Sequence, residues 1–278
     1  MKTFKNTMRA LFATSLLAIV GCSKSSDEVI EPVTPTTASV PSHTFENVKQ
    51  TISFSYFQNN PQGIKILNTT INDNATVGID YIYGTQNKVR DISILDITTN
   101  ILKRKIMLYD TSTFIKLIKV TTTAEQISGN TATVIEKTEE TFGYSGAIVN
   151  VTKKVFNAAT NAVTSTETFA LTTVSLGADN NSPLIITSID NNLGTLENID
   201  YDGKFNVYKN IMSIKELALV YWENQKITQM NILRKTKFVN NAVTDTKQYT
   251  LTYFDNNLNA NICTERKLGN VILDKYTY

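Results

Sequence analysis

Asp200 and Asp202 are the first residues to weigh as chemistry. In a strand, residues two apart share one face at about 6.6–6.8 Å along the chain. That is close to the separation at which one carboxylic acid protonates a glycosidic oxygen while a second carboxylate activates water. The same pair also reads as a turn, because Asp202-Gly203 is a favoured hairpin dipeptide, and turn is the reading adopted here. Asp200-x-Asp202-Gly203 matches the start of a calcium loop too, but the Glu that should close such a loop is missing. Glu139 and Glu140 are adjacent, so a strand points them to opposite faces and they cannot flank one bond. Tyr221-Trp222 offers a stacking platform for a sugar ring, although a lone Trp in a β-rich chain is ordinarily core.

The chain has one His and two Cys. His43 precedes the β-rich region, so the expectation is a folded domain without imidazole. That removes Ser-His-Asp and Cys-His catalysis, His-ligated zinc and the two-His iron site. Cys22 closes an N-terminal leader, which leaves Cys263 alone, with no intramolecular disulfide and no Cys-based zinc cluster. Cys263, within Asn261-Ile262-Cys263-Thr264, reads as a small buried hydrophobe. General acid–base work would then need a carboxylate or Lys with a strongly shifted pKa. The acidic residues are scattered beside Asn, Thr and Gly, as on turns and solvated strand faces. The expected protein is therefore not an enzyme and uses no metal or cofactor.

The elements that must position these residues are strands. From about residue 45 the chain is rich in Thr, Ile, Val, Tyr and Phe, which suit a pleated, half-buried surface. Alternation recurs, as in Tyr249-Thr250-Leu251-Thr252-Tyr253. Asn pairs punctuate the runs (Asn59-Asn60, Asn180-Asn181, Asn191-Asn192, Asn240-Asn241, Asn256-Asn257), and Asn tolerates the left-handed backbone of tight hairpins. The one helical pattern is Ile211–Leu219, where Ile211, Ile214, Leu217 and Ala218 share a face. Residues 162–172 align with residues 242–252, each copy following an Asn-containing turn and a long strand, so one long hairpin is used twice. The fold expected is all-β: long sequential antiparallel hairpins in an extended or curved meander sheet, with at most one short helix.

The N-terminus is a separate matter. Lys2, Lys5 and Arg9 precede the apolar run Ala10–Val20 and then Gly21-Cys22. A positive region, a short apolar stretch and a small residue before the cut make an export signal; the run is too short to span a bilayer. Ile19-Val20-Gly21-Cys22 resembles the lipobox of bacterial lipoproteins. The resemblance implies cleavage between Gly21 and Cys22 and acylation of Cys22, the lipid chains anchoring the protein to a membrane. The polar, Pro-containing stretch after Cys22, with Pro32, Pro35 and Pro41, reads as a tether. Lys24 and Ser26-Asp27-Glu28 resemble the display signal of surface lipoproteins of Bacteroidota. Loss of the leader removes three basic residues and no acid from the 27 basic and 25 acidic of the precursor, leaving a nearly neutral chain. Such a chain has no general attraction to phosphate backbones, so nucleic acid is not an expected partner.

Aromatic residues at hairpin ends, such as Tyr201-Asp202-Gly203-Lys204-Phe205 and the closing Tyr276-Thr277-Tyr278, complete the pattern. Together with the lipobox they resemble Bacteroidota surface lipoproteins with degenerate Tyr-Asp hairpin repeats of the YD/Rhs type. That resemblance implies an outer-membrane, lipid-anchored, cell-surface location and brings no catalytic residues. Three regions are expected: a signal peptide over 1–21, a lipidated tether over 22–44 and one repeat-like β domain over 45–278. The function expected is a binding or structural module for an unidentified glycan or protein. Tyr201, Tyr208, Tyr221 and Trp222 are the candidate binding aromatics, because exposed aromatics give large contact area at little entropic cost. A carboxylate-based glycan-active enzyme and a carrier of a small apolar ligand in a curved sheet are the alternatives.

Overall fold

A computed structural model describes residues 43–46, 50–59, 63–71, 77–84, 88–110, 116–176, 184–205, 214–225, 228, 230–253 and 263–277. Contacts divide the chain into Met1–Val33 and Thr34–Tyr278, and every described residue belongs to the second unit. The leader, Gly21, Cys22 and Tyr208 lie outside the described residues.

The described residues form sixteen strands and one helix. In chain order the first eight strands are β1 (His43–Glu46), β2 (Gln50–Asn59), β3 (Gly63–Ile71), β4 (Val77–Tyr83), β5 (Val89–Asp96), β6 (Ile101–Tyr109), β7 (Leu117–Ser128) and β8 (Thr131–Ser145). There follow β9 (Ile148–Phe156), β10 (Val163–Ser175), β11 (Leu184–Asp190), β12 (Thr195–Phe205), helix α1 (Ile214–Val220), β13 (Met230–Val239), β14 (Ala242–Tyr253), β15 (Cys263–Leu268) and β16 (Val271–Thr277). Every strand pairs antiparallel with its sequence neighbours, and β1 pairs with both β2 and β16, so the meander closes into a barrel. The all-β, hairpin-by-hairpin expectation holds, and the curved sheet is closed. His43 pairs with Ser53 and Thr277. The single imidazole therefore belongs to the closing strand and not to the tether, which corrects the expectation of an imidazole-free domain.

The turns form where Asn accepts positive φ. Asn240 and Asn241 sit at φ 49° and 65° between β13 and β14, and Asn161 and Asn192 at 57° and 56°. Positive φ at both central residues is the two-residue hairpin geometry whose twist matches the flanking strands. One glycine is fixed by a neighbouring turn: a Cβ on Gly194, itself at φ +85°, would come within 2.5 Å of the Asn240 side-chain oxygen. Asn240 N–H donates to Gly194 O at 2.8 Å, which ties the β11–β12 and β13–β14 turns together. Asp202-Gly203 is not the hairpin turn expected. The chain runs on through β12, and the register slips between Asp200 and Tyr201 and again before Phe205, with Gly203 at φ +76°. The dipeptide supplies the positive-φ residue of a bulge, which uses the same backbone freedom as a turn.

Helix α1 begins inside the expected segment and ends at Val220. Seven residues are too few to be helical alone in water; packing makes this helix. Glu216 through Trp222 are all buried, which is more than one apolar stripe. Its side chains share a core with Val89 and Ile92 of β5, Met107 of β6, Val120 of β7, Phe142 of β8, Val151 of β9, Leu171 of β10 and Ile199 of β12. Those are inward positions on successive strands, so the helix lies within the wall's concave side and fills it.

Strand pairing fixes which residues share that inner face. One row runs Met107–Val120–Glu140–Lys153–Glu167 across β6 to β10. The adjacent residues face outward, in the rows Thr121–Glu139–Lys154–Thr166 and Lys119–Thr141–Thr152–Thr168. The outer row across β12 to β14 is Asp200–Arg234–Gln248. Both faces of Thr131–Glu136, Val163–Thr168 and Ala242–Gln248 are exposed. These stretches flank the turns at one end of the barrel, so its inner wall is filled towards α1 and open to water at that end.

Candidate functional site

The floor of the open end is built around the C-terminal end of α1. Lys105 Nζ donates to Val220 O at 3.4 Å and stands 5.4 Å from the centre of the Tyr221 ring. A cation there meets the negative end of the helix dipole and the orphan carbonyls of the last turn. Trp222 Nε1 donates to Glu140 Oε1 at 3.2 Å, and its ring lies 4.6 Å from that of Phe169. Lys153 and Glu223 form an ion pair at 2.5 Å. The other end of the helix is pinned by Lys88 and Glu216, also at 2.5 Å, with Glu216 almost wholly buried. Residues far apart in sequence are thus joined by charge at both ends of one short helix.

The electrostatics follow from burial. Desolvation raises the Glu140 pKa against the pull of Lys105, and desolvation lowers that of Lys105 against the pull of Glu140 and Glu223. Burial also opposes the charge on Lys153, but the hydrogen bond and charge of Glu223 outweigh it and its pKa is raised. A buried acid and a buried amine shifted in opposite directions are the pattern of acid–base machinery. Here, however, Glu140 is only 5% exposed, accepts from an indole and faces two ammonium groups. The carboxylate is packed against the C-terminal end of the helix and seats it.

The expected site residues fall in different places. Trp222 and Tyr221 are 2% and 8% exposed, which corrects the expectation that they stand free as binding anchors. They follow a helix that the barrel encloses, and the indole N–H finds its partner inside. Tyr201 is half-buried on the inner face and its hydroxyl donates to Ile186 O at 2.8 Å; burial raises its pKa. Asp200 faces out and pairs with Arg234 at 2.7 Å. Asp202 sits beyond the register slip, accepting from Asn231 Nδ2 and the Tyr253 hydroxyl. Its pKa is raised by burial, against the Lys204 backbone N–H. The two aspartates do not converge. Glu139 and Glu140 do face opposite ways, Glu139 towards Lys119 on the outer wall. Cys263 is buried, as expected, and its thiol donates to Glu265 O at 3.4 Å.

Sequence reasoning missed Lys105, Lys153 and Glu223. For the lysines the signal was only the period-2 spacing of Lys103 with Lys105 and the adjacent Lys153-Lys154, which by itself does not say which face is inside. Among the described residues no group of three or more His, Cys, Asp or Glu is placed to hold a metal ion.

No protein-family description matches the chain, and no curated protein does. Among solved structures, a porin-like protein from Bacteroides vulgatus aligns with a TM-score of 0.48 at 9% identity, over 86% of this chain and 98% of its own. A porin-like protein from Bacteroides uniformis aligns with a TM-score of 0.32 at 13% identity, over 89% of this chain and 99% of its own. Likeness at this level assigns no activity.

Proposed function

We propose that the protein is a lipid-anchored outer-membrane module whose barrel stands in water and acts by binding, not by catalysis and not as a pore. The carrying observation is the outer wall. A membrane-spanning barrel presents lipid with an apolar band about 25 Å tall, and each Lys or Arg near its middle costs about 2–4 kcal/mol. This wall instead carries Glu139 in mid-strand on β8, Lys119 and Lys154 beside it on β7 and β9, and Asp200 with Arg234 on β12 and β13. Several such charges outweigh what the scattered outward Ile106, Leu108 and Ile148 would gain in lipid. A barrel of this kind reaches a membrane through an anchor, which acylated Cys22 supplies.

The alternatives have less support. A glycan-active enzyme needs two carboxylates flanking a reachable space, and neither Asp200/Asp202 nor Glu139/Glu140 provides that. A carrier needs an empty apolar chamber, typically 300–1,000 Å³ for a ligand of drug size. The apolar half of this interior is occupied by α1, and the crevice between Leu184, Ile186, Tyr201, Ala218 and Gln225 has room for little more than a water molecule.

One experiment tests anchor and wall together. Cells making the wild type or Cys22→Ala are fed a clickable fatty acid and fractionated. The wild type should be labelled and membrane-bound, and the variant unlabelled and soluble. A variant that remains embedded in the membrane would show that the barrel itself spans it.

A further inference from the structure

Lys105 differs from the lysines around it on the inner wall. Lys103 is paired with Glu136 at 3.5 Å and Lys153 with Glu223 at 2.5 Å. Among the described residues no ion pair includes Lys105. Its described acceptor is one carbonyl, Val220 O at 3.4 Å, and its described ring contact is Tyr221 at 5.4 Å. An ammonium group carries three N–H donors. One carbonyl leaves two of them to solvent in a half-buried site, whereas it satisfies the single N–H of a protonated imine. Burial lowers the Lys105 pKa; Glu140 and Glu223 oppose that shift, and Lys103 and Lys153 add to it. At a given pH Lys105 therefore offers more unprotonated, nucleophilic amine than an exposed lysine. The amine is also placed where a solute arrives. Lys105 stands two residues nearer the open end than buried Met107. Thr122 and Thr138 continue its inner row across β7 and β8.

We propose that Lys105 captures an aldehyde entering the open end of the barrel, holding it as a reversible imine. The inference rests on the binding function proposed above and names its ligand class. The neutral amine adds to the carbonyl carbon and forms a C–N bond. The proton given up by nitrogen passes through water to the carbonyl oxygen. The carbinolamine then loses its hydroxyl, which leaves as water with a proton from solvent, and a protonated C=N bond remains. Nothing is oxidised or reduced, and hydrolysis runs the same steps backwards. The fold holds the cation that results. The iminium N–H donates to Val220 O, and the last turn of α1 turns its negative end to the charge. The Tyr221 ring adds a cation–π contact. Hydroxyls at Thr122 and Thr138 both donate and accept, so the same inner row can bond the carbinolamine oxygen.

The test is reductive trapping on the full-length protein in non-ionic detergent. Glycolaldehyde and sodium cyanoborohydride are added near neutral pH, and the modified lysines are located by peptide mapping. Lys105 should carry the reduced adduct ahead of the exposed Lys116 and Lys154. Without reductant the adduct should be lost on dilution. Lys105→Arg should lose the adduct while keeping a cation at the end of α1. Mapping of the wild type decides the matter even if that variant folds poorly. Lys154→Arg, on the outer wall, should leave the Lys105 adduct unchanged. Trapping at Lys105 should level off at a lower pH than trapping at the lysines of the unfolded protein, as its lowered pKa requires. An adduct spread evenly over the exposed lysines, or absent from Lys105, would overturn the assignment. If Lys105 stays unmodified while a glycan or protein array yields a ligand, aldehyde capture falls and the binding function stands.

Discussion

Two hairpins of nearly the same sequence, β9–β10 and β13–β14, use one architecture for different ends. Both follow the repeat in residues 162–172 and 242–252, and both turn through Asn at positive φ. They differ in the charge of their inward pairs. In the first hairpin Lys153 faces Glu167; at the equivalent place in the second, Lys235 faces Lys247. The first also leans on the plug, through Phe169 against Trp222 and Lys153 against Glu223. For the second, the described contacts at this level are with neighbouring strands. A matched pair against packed structure is what stability asks for. The like-charged pair of the second hairpin is offset from beside it, by Glu197 on Lys235 and Asp245 on Lys247.

The largest expected effect comes from breaking the packed side. Trp222→Ala removes a buried indole and leaves buried Glu140 without its donor, and should cost about 3–5 kcal/mol in denaturant unfolding. Lys247→Ala, on the open side, should stay within about 0.5 kcal/mol of wild type. Equal losses at the two positions would mean that the second hairpin is as deeply packed as the first.

Next comes the pH dependence, where the two sides should differ in sign. Glu140 has a raised pKa, so above the unfolded value of about 4.3 the native state holds a proton that the unfolded state has lost. Stability therefore falls as pH rises from there through the raised folded pKa. Lys235 has a lowered pKa, so below the ordinary Lys value of about 10.4 the unfolded state binds the proton more readily. Stability therefore rises with pH between the lowered folded pKa and that value. Melting curves across pH should show the acid-side fall reduced by Glu140→Gln and the alkaline-side rise reduced by Lys235→Gln. Unchanged slopes would place the titration elsewhere.

Much of the fold was legible because it is written locally. Alternating Thr and aliphatic residues gave the strands, Asn pairs gave hairpins at Asn191-Asn192 and Asn240-Asn241, and Ile211–Leu219, which overlaps the helix Ile214–Val220, stood out against a background without helical period. Closure was not legible, since it depends on four residues, His43–Glu46, pairing across the whole chain with β16. The site was hidden for a related reason. Tyr221 and Trp222 have the composition of an exposed platform, and only the tertiary position of α1 buries them. Asp202-Gly203 shows the limit of turn chemistry: positive φ at Gly203 serves a bulge as readily as a hairpin, and the dipeptide cannot tell which.

A smaller effect is expected at the shared turn. Asn241→Ala places a residue with no side-chain hydrogen bonding at φ 65° and should cost about 1–2 kcal/mol. Asn241→Gly should be nearly neutral, because glycine enters that region freely. The same substitutions at Asn161, at φ 57°, should behave alike, since the turns of both copies rely on positive φ whatever their inner walls carry. A loss at one turn and none at the other would separate the two copies at the backbone as well as at the wall.

The smallest effect on stability bears most directly on the comparison. Lys247→Glu gives the second hairpin the charge of the first, opposite Lys235. Cross-strand pairs of opposite charge contribute about 0.2–1 kcal/mol, and Lys247 is half exposed, so solvent screening holds the gain to the lower part of that range. The variant should therefore be slightly more stable than wild type in denaturant unfolding. Glu167→Lys makes the reverse exchange, setting Lys against Lys153 on the first hairpin. It should be slightly destabilising, because Glu223 already occupies Lys153 and only part of the new repulsion is offset. A Lys247→Glu variant of unchanged stability would show that the like-charged pair costs the second hairpin nothing.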